Sequence, residues 1–409
     1  MEFVYMSKIK AVIAFCLALV LCLSLVGCHS ENEVALTIGG VEISSAMYGC
    51  ALIQADLDAR AIIDGNVGTV GLVDYSTQTI DQTPYDEWVE NRALNLCKLY
   101  AAYTLKMQEL KIEADPDTLN NVYNACYTYW LMGDTVFSSS SYTPYATIME
   151  PNGVSWETYI KFNETAAMDE AVFNYYYGIK GTKKLSDEEI NKYFTEHYAL
   201  IYNITLDYNV GSVKATEEQK KEVDTFINTL KTRLEAGEDF ATIKADLDAF
   251  EKKRKESSST TSSNTSSNNS STTSSEVTSS GTTSSDVTSS ETTSSGTSSE
   301  TKPQPKDKDA VLVYDSTVGS NADTNFANIK IMAVGDVKLI ETSTGWRLIK
   351  KIDLMSDTYY RDENYLVIAN LIKGEEFGKE IQAYADSLTV DKNGFAMGQY
   401  TVDSLEYPV

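Results

Sequence analysis

The chain has 409 residues and a formal net charge of −25, long enough for two domains with connecting segments. That charge argues against a nucleic-acid partner, because nothing would neutralise a phosphate backbone, and against a polybasic grip on a membrane; an acidic surface suits a solvated extracytoplasmic protein. With only two histidines, His29 and His197, a Cys/His metal site is not indicated, a Ser-His-Asp site would need His197 itself, and no cofactor is implied.

The chain begins with a basic region at Lys8 and Lys10, an uncharged apolar run over residues 11–25 and a small-residue cleavage site. This is short for a permanent membrane helix and has the layout of an export signal over residues 1–27. Its end, Leu25-Val26-Gly27-Cys28, resembles the lipobox of bacterial lipoproteins. The resemblance implies a diacylglyceryl thioether on Cys28 and a chain tethered to the outer face of a cell membrane. One acyl chain anchors only marginally, at about 0.8 kcal/mol per buried methylene, so two chains matter. A simple secreted protein, cut nearby with Cys28 as a bystander, is the alternative.

Residues 34–43 read as a hairpin around Gly39-Gly40, after which Ser44 opens a helix. A long helix is predicted from Thr83-Pro84, with Thr as cap, Pro at the first helical position, and Asp86 and Glu87 in the first turn. Val89, Ala93, Leu96, Tyr100, Tyr103, Met107 and Leu110 form one apolar stripe along it. Asp115-Pro116 starts another helix with Leu119, Val122, Tyr123 and Cys126 inward, and Ser155 starts one to about Tyr177. Cys50, Cys97 and Cys126 are too few for a disulfide framework. Cys97 and Cys126 fall at apolar helical positions, where a thiol is a small buried hydrophobe, although one pair could bridge and leave one thiol over.

Ser186 to Glu189 forms a capping box for a short helix to about His197, followed by a strand over 199–207. Thr216 to Gln219 is a second box, opening a helix to about Glu235 that stops at Gly237, and another helix runs from Glu238 to about Glu256. Residues 257–302 are almost all Ser, Thr, Asn and Gly, with recurring Thr-Ser-Ser units. No apolar face offsets the entropy of ordering them. Such a coil has an end-to-end distance of about 35–40 Å, and its threonines suit O-linked sugar. Beyond Asp309 the sequence predicts a strand at 310–314, a short helix at 325–333, paired strands at 337–341 and 346–352, a helix over 360–388, and a polar tail.

Four segments in this order resemble extracytoplasmic foldases of the PrsA/SurA type. They are Leu185-Ser186-Asp187-Glu188-Glu189-Ile190, Ala236-Gly237-Glu238-Asp239-Phe240-Ala241, Val334-Gly335-Asp336-Val337 and Gly345-Trp346-Arg347-Leu348-Ile349-Lys350. The resemblance implies an α+β protein: a SurA-like helical chaperone module over 28–183, and a parvulin-like α/β domain over 184–256 and 309–352. A disordered Ser/Thr-rich insert over 257–308 interrupts that domain, and a C-terminal helix and tail over 353–409 return to the module. It implies unfolded or nascent exported polypeptides as partners.

The resemblance also implies two histidines face to face in a proline pocket. Asn203 and Arg347 stand at those positions. Asn cannot titrate as His does, and Arg is a fixed cation, so little or no isomerase activity is expected and no catalytic residue is assigned. His197, at a helix C-terminus, is read as a cap. The aromatic clusters Tyr123, Tyr127, Tyr129, Trp130 and Tyr175 to Tyr177 are core or a client cradle; Tyr127, Trp130, Tyr176 and Trp346 are the candidate client contacts. An active isomerase with a rearranged pocket and a surface-display or wall-associated lipoprotein are the alternative functions.

Overall fold

The computed structural model describes residues 33–67, 73–133, 142–262 and 304–408. The expected export signal, Cys28 and residues 263–303 of the Ser/Thr tract lie outside the described residues. The fold is α+β with small antiparallel sheets. It divides into two units, one running to Leu185 and resuming at Ala369, the other Ser186–Ile368. Among the described residues no helix is long and apolar enough to cross a membrane.

The first unit opens on a hairpin of β1 (Val34–Ile38) and β2 (Val41–Ser44). Gly39 and Gly40 turn it at φ of 56° and 89°, the left-handed region that a two-residue hairpin turn requires and side chains disfavour. Ser44 Oγ accepts the Met47 N–H at 3.2 Å and starts α1 (Ser45–Val67). The next helix begins later than its sequence suggests. Asp81 and Gln82, both at positive φ, turn β3 (Thr79–Ile80) onto β4 (Thr83–Pro84). Thr83 is therefore spent on a strand ladder, Pro84 becomes the cap residue without a side-chain bond, and α2 runs Tyr85–Leu110. Val89, Ala93, Tyr100 and Tyr103 of the expected stripe are buried.

Asp115 caps α3 (Pro116–Met132), accepting the Asp117 and Thr118 N–H groups at 3.0 Å. Cys126 faces the core, but Tyr123, expected inward, is exposed. After α4 (Ala146–Met149), the helix expected from Ser155 is two: α5 (Trp156–Asn163), capped by Ser155, and α6 (Thr165–Tyr177). Cys50, Cys97 and Cys126 are buried free thiols. Burial pushes the Cys97 thiol up to about 12 and the Cys126 thiol to about 11, so neither offers thiolate at neutral pH. A thiol reagent is expected to label none of the three in the folded protein and all three after denaturation; rapid native labelling would contradict this packing.

In the second unit the Ser186 capping box opens α7 (Asp187–His197), which feeds β5 (Tyr198–Asp207). The Thr216 box opens α8 (Glu217–Glu235), followed by α9 (Phe240–Ser262). Then come β6 (Val311–Tyr314), α10 (Phe326–Lys330), β7 (Val337–Glu341) and β8 (Gly345–Ile352). The strands close into one antiparallel sheet in the order β6-β5-β8-β7. Alternating side chains give it two apolar faces. Ile204, Leu206 and Leu348 pack against Val223, Ile227 and Leu230 of α8 with Phe240 and Ile243 of α9. Ala199, Ile201, Val313 and Ile349 pack against Phe326 and Ile329 of α10. The unit continues past Ile352 into α11 (Tyr359–Glu363). Tyr360 Oη donates to the Asp307 and Ala310 carbonyls at 3.1 and 3.2 Å, so residues near Asp307 also belong to it rather than to a loose insert.

Helix α12 (Tyr365–Ser387) carries the chain back into the first unit. There Phe377 packs edge-on to Phe173 at 5.2 Å, and Lys98 pairs with Asp386 at 3.0 Å. Residues beyond Leu388 form more than the polar tail read from the sequence. Strand β9 (Val390–Lys392) pairs with β1, α13 (Gly394–Met397) follows, and Ala396 and Tyr400 join the core. Among the described residues of this stretch only Ala396 and Tyr400 are buried, and two positions are too few to stand out as a periodic apolar pattern in the sequence.

Candidate functional site

The pairing of β5 with β8 sets Asn203 opposite Ile349 and Thr205 opposite Arg347. Asn203 and Arg347 are therefore diagonal neighbours on the α10 face. Arg347 Nε donates to Asn203 Oδ1 at 2.7 Å, and its two terminal nitrogens donate to Asp323 Oδ1 and Oδ2 at 2.8 and 2.5 Å. The Asn325 N–H adds a bond to Asp323 at 2.8 Å. The pair is nearly enclosed, with side-chain exposures of 15% for Arg347 and 8% for Asp323. Burial acts to raise the Asp323 carboxyl, but the Arg347 and Asn325 bonds outweigh it and hold the group below the usual carboxylate range. The two positions that the resemblance assigns to neutral imidazoles thus carry an amide and a bidentate ion pair, and the guanidinium is tied to both partners. Asp323 was not apparent in the sequence; it lies in the loop before α10.

His197 ends α7, where its Nδ1 lies 2.8 Å from Asp315 Oδ2 and its ring packs, tilted, against that of Tyr193 at 4.2 Å. Burial raises the Asp315 carboxyl, but bonds from His197 and the Thr317 N–H bring it below its ordinary range. This ties the helix end to the loop after β6. Among the described residues no group of three or more His, Cys, Asp or Glu could hold a metal ion.

The four candidate client contacts divide. Tyr127 is exposed at 51%, stacked parallel on Tyr123, with both edge-on to Trp156 at 6.3 and 5.7 Å. Trp130, expected as a client contact, is buried at 7% exposure against Trp156 and Tyr159 at 5.2 and 5.4 Å, so in this structure its ring belongs to the core. Tyr176 is half-buried beneath the Lys183 ammonium, 4.9 Å from its ring centroid. Trp346 lies on the α8 face, opposite to Arg347, with Nε1 donating to Asp224 Oδ1 at 2.7 Å. It is a packing residue, and the sheet does not bring it to Asn203.

The sequence reading missed Leu131 and Met132, which are exposed on α3 beyond Tyr127. Leu119, Tyr123, Tyr127 and Leu131 recur every four residues, so they share one side of α3. Leu119 is also in the wall of a cleft of about 550 Å³ lined by Tyr100, Thr104, Met107, Glu164 and Met168. Burial raises the Glu164 carboxyl there. The spacing was visible in the sequence; that it faces outward was not. The row leaves a cleft of mixed lining, which also includes Gln108, Lys111, Ile112 and Glu113, and together they can hold an extended segment with apolar side chains. No family model matches this chain, and no curated protein matches it.

Proposed function

We propose that the chain is a lipid-anchored extracytoplasmic chaperone that holds unfolded exported polypeptides and has little or no prolyl isomerase activity. The observation that carries this reading is the exposed row Tyr123, Tyr127, Leu131 and Met132 on α3. Apolar side chains gathered on one surface mark an interaction site, and aromatic rings cover large areas with few torsions to freeze. The Arg347–Asp323 pair supports the second half of the reading, because a fixed cation with its counterion cannot stand in for neutral imidazoles. The lipid at Cys28 would hold the row beside the membrane from which unfolded chains emerge.

The test is light scattering of an aggregating unfolded protein at equimolar chain. The wild type is expected to suppress aggregation, and Tyr123→Ser with Tyr127→Ser and Leu131→Ser to lose at least half of that suppression while keeping its circular dichroism. A proline-peptide isomerisation assay should show no rate gain. Unchanged suppression by the triple variant, or a clear rate gain abolished by Arg347→Ala, would overturn the proposal.

A further inference from the structure

Residues 399–408 carry side chains that fit the first unit as a ligand fits a receptor. Gly49 of α1 leaves the space that the Tyr400 ring fills: a Cβ there would stand 2.3 Å from a ring carbon. Tyr400 Oη donates to the Gly153 carbonyl at 3.3 Å. Asn152, only 6% exposed, grips the backbone of Glu406 at two points. Its Oδ1 accepts the Glu406 N–H at 2.8 Å, and its Nδ2 donates to the Glu406 carbonyl at 2.7 Å. That grip reads the main chain of one residue and is indifferent to its side chain.

The next residue is read by its side chain. Tyr407 Oη donates to Asp56 Oδ2, and Asp56 is 1% exposed. The Arg60 guanidinium, itself paired with Asp56 at 2.6 Å, lies 4.3 Å above the Tyr407 ring centroid and 4.5 Å from that of Tyr75. Tyr85 Oη occupies the other Asp56 oxygen at 2.5 Å. A carboxylate for the hydroxyl and a cation for the ring face select tyrosine. Phenylalanine would leave the buried acceptor short of a partner, and a phosphate would meet the Asp56 charge. Between these anchors Val402–Ser404 make one 3-10 turn, Val402 and Leu405 lie partly buried against the core, and Thr401, Asp403 and Ser404 are exposed.

We propose that the cleft formed by Gly49, Asp56, Arg60, Tyr85 and Asn152 is a binding site for a tyrosine-bearing polypeptide segment that carries a single turn before the tyrosine, occupied by the chain's own residues 399–408 as a resident ligand. The site is separate from the apolar row on α3 and does not rest on the chaperone reading. A tethered ligand competes at an effective concentration on the order of millimolar, so an incoming peptide gains entry when the resident tyrosine is weakened or withdrawn.

The test uses the full chain and a fluorescein-labelled peptide with the sequence of residues 399–408, followed by anisotropy. Tyr407→Ala is expected to bind the probe saturably, at least tenfold more tightly than the wild type. A probe with Phe in place of its second Tyr should bind at least tenfold more weakly, and Asn152→Ala added to Tyr407→Ala should abolish binding. If Tyr407→Ala does not fold, Tyr407→Phe, which keeps the ring and loses only the hydroxyl, takes its place with the same expectation. A folded variant that binds the probe no better than the wild type, or that does not distinguish the Phe probe, would overturn the proposal and leave the segment as a core element. Aggregation suppression is measured on the same variants, so failure here and failure of the chaperone reading are separately visible.

Discussion

Replacing Asp323 by alanine is expected to destabilise the second unit by about 3 kcal/mol, the scale for removing one partner of a buried ion pair. The loss exceeds that of a surface pair because Arg347 is enclosed by the sheet and α10 and its charge has nowhere to go. Asp323→Asn keeps an acceptor and should cost less, about 1–2 kcal/mol. Arg347→Leu combined with Asp323→Ala should recover much of the loss, since an apolar replacement of both partners is often close to neutral. The pH dependence has a definite sign. The Asp323 carboxyl is held below its unfolded value, so its stabilisation is fully present above about pH 4 and is lost as pH falls through the folded value. The wild type should therefore lose stability in that acid range more steeply than Asp323→Asn. Hydrogen exchange of the Ile204 and Leu348 amides, in the two central strands, measures this unit by itself. A loss below 1 kcal/mol in Asp323→Ala would mean that the guanidinium reaches solvent on its own.

How much of this was legible in the sequence depends on the range of each interaction. The boxes at Ser186 and Thr216 and the Gly39-Gly40 turn are complete within a few residues, and they appear where their local chemistry places them. Asn203 and Arg347 were singled out together through a resemblance, and β-pairing makes them neighbours. Asp323 was invisible because a lone acid in a loop has no pattern. Asp56 was hidden differently. With Arg60 four residues on, it looks like an ordinary solvated helix pair. What removes it from water is the arrival of Tyr85 and Tyr407, from 29 and 351 residues away. The Thr83-Pro84 cap failed for a related reason: two residues at positive φ made a strand out of what reads locally as a helix start.

The largest loss in the first unit is expected from Asp56→Ala, at about 3–5 kcal/mol. Asp56 is the shared acceptor of the Arg60 guanidinium and the Tyr85 and Tyr407 hydroxyls. Burial, followed by the Asp56 charge, raises both tyrosines well above their ordinary range, so they remain neutral donors and cannot take over as counterion to Arg60. Alanine leaves a half-enclosed cation between two rings and strands two donors. Asp56→Asn keeps one oxygen but loses the charge and turns its NH2 toward either the Tyr85 hydroxyl or the Arg60 and Tyr407 donors, and should cost about 2–3 kcal/mol. Tyr85→Phe and Tyr407→Phe each remove one bond to a charged group, worth about 1.5–3 kcal/mol. Members of one network do not add: with Asp56→Ala already in place, either Phe substitution should cost much less than it does alone. Urea denaturation with hydrogen exchange of α1 and α2 amides tests the order of these losses. If Tyr407→Phe alone costs as much as Asp56→Ala, the C-terminal segment and not the carboxylate organises this core, and its exchange for another tyrosine would be ruled out by stability alone.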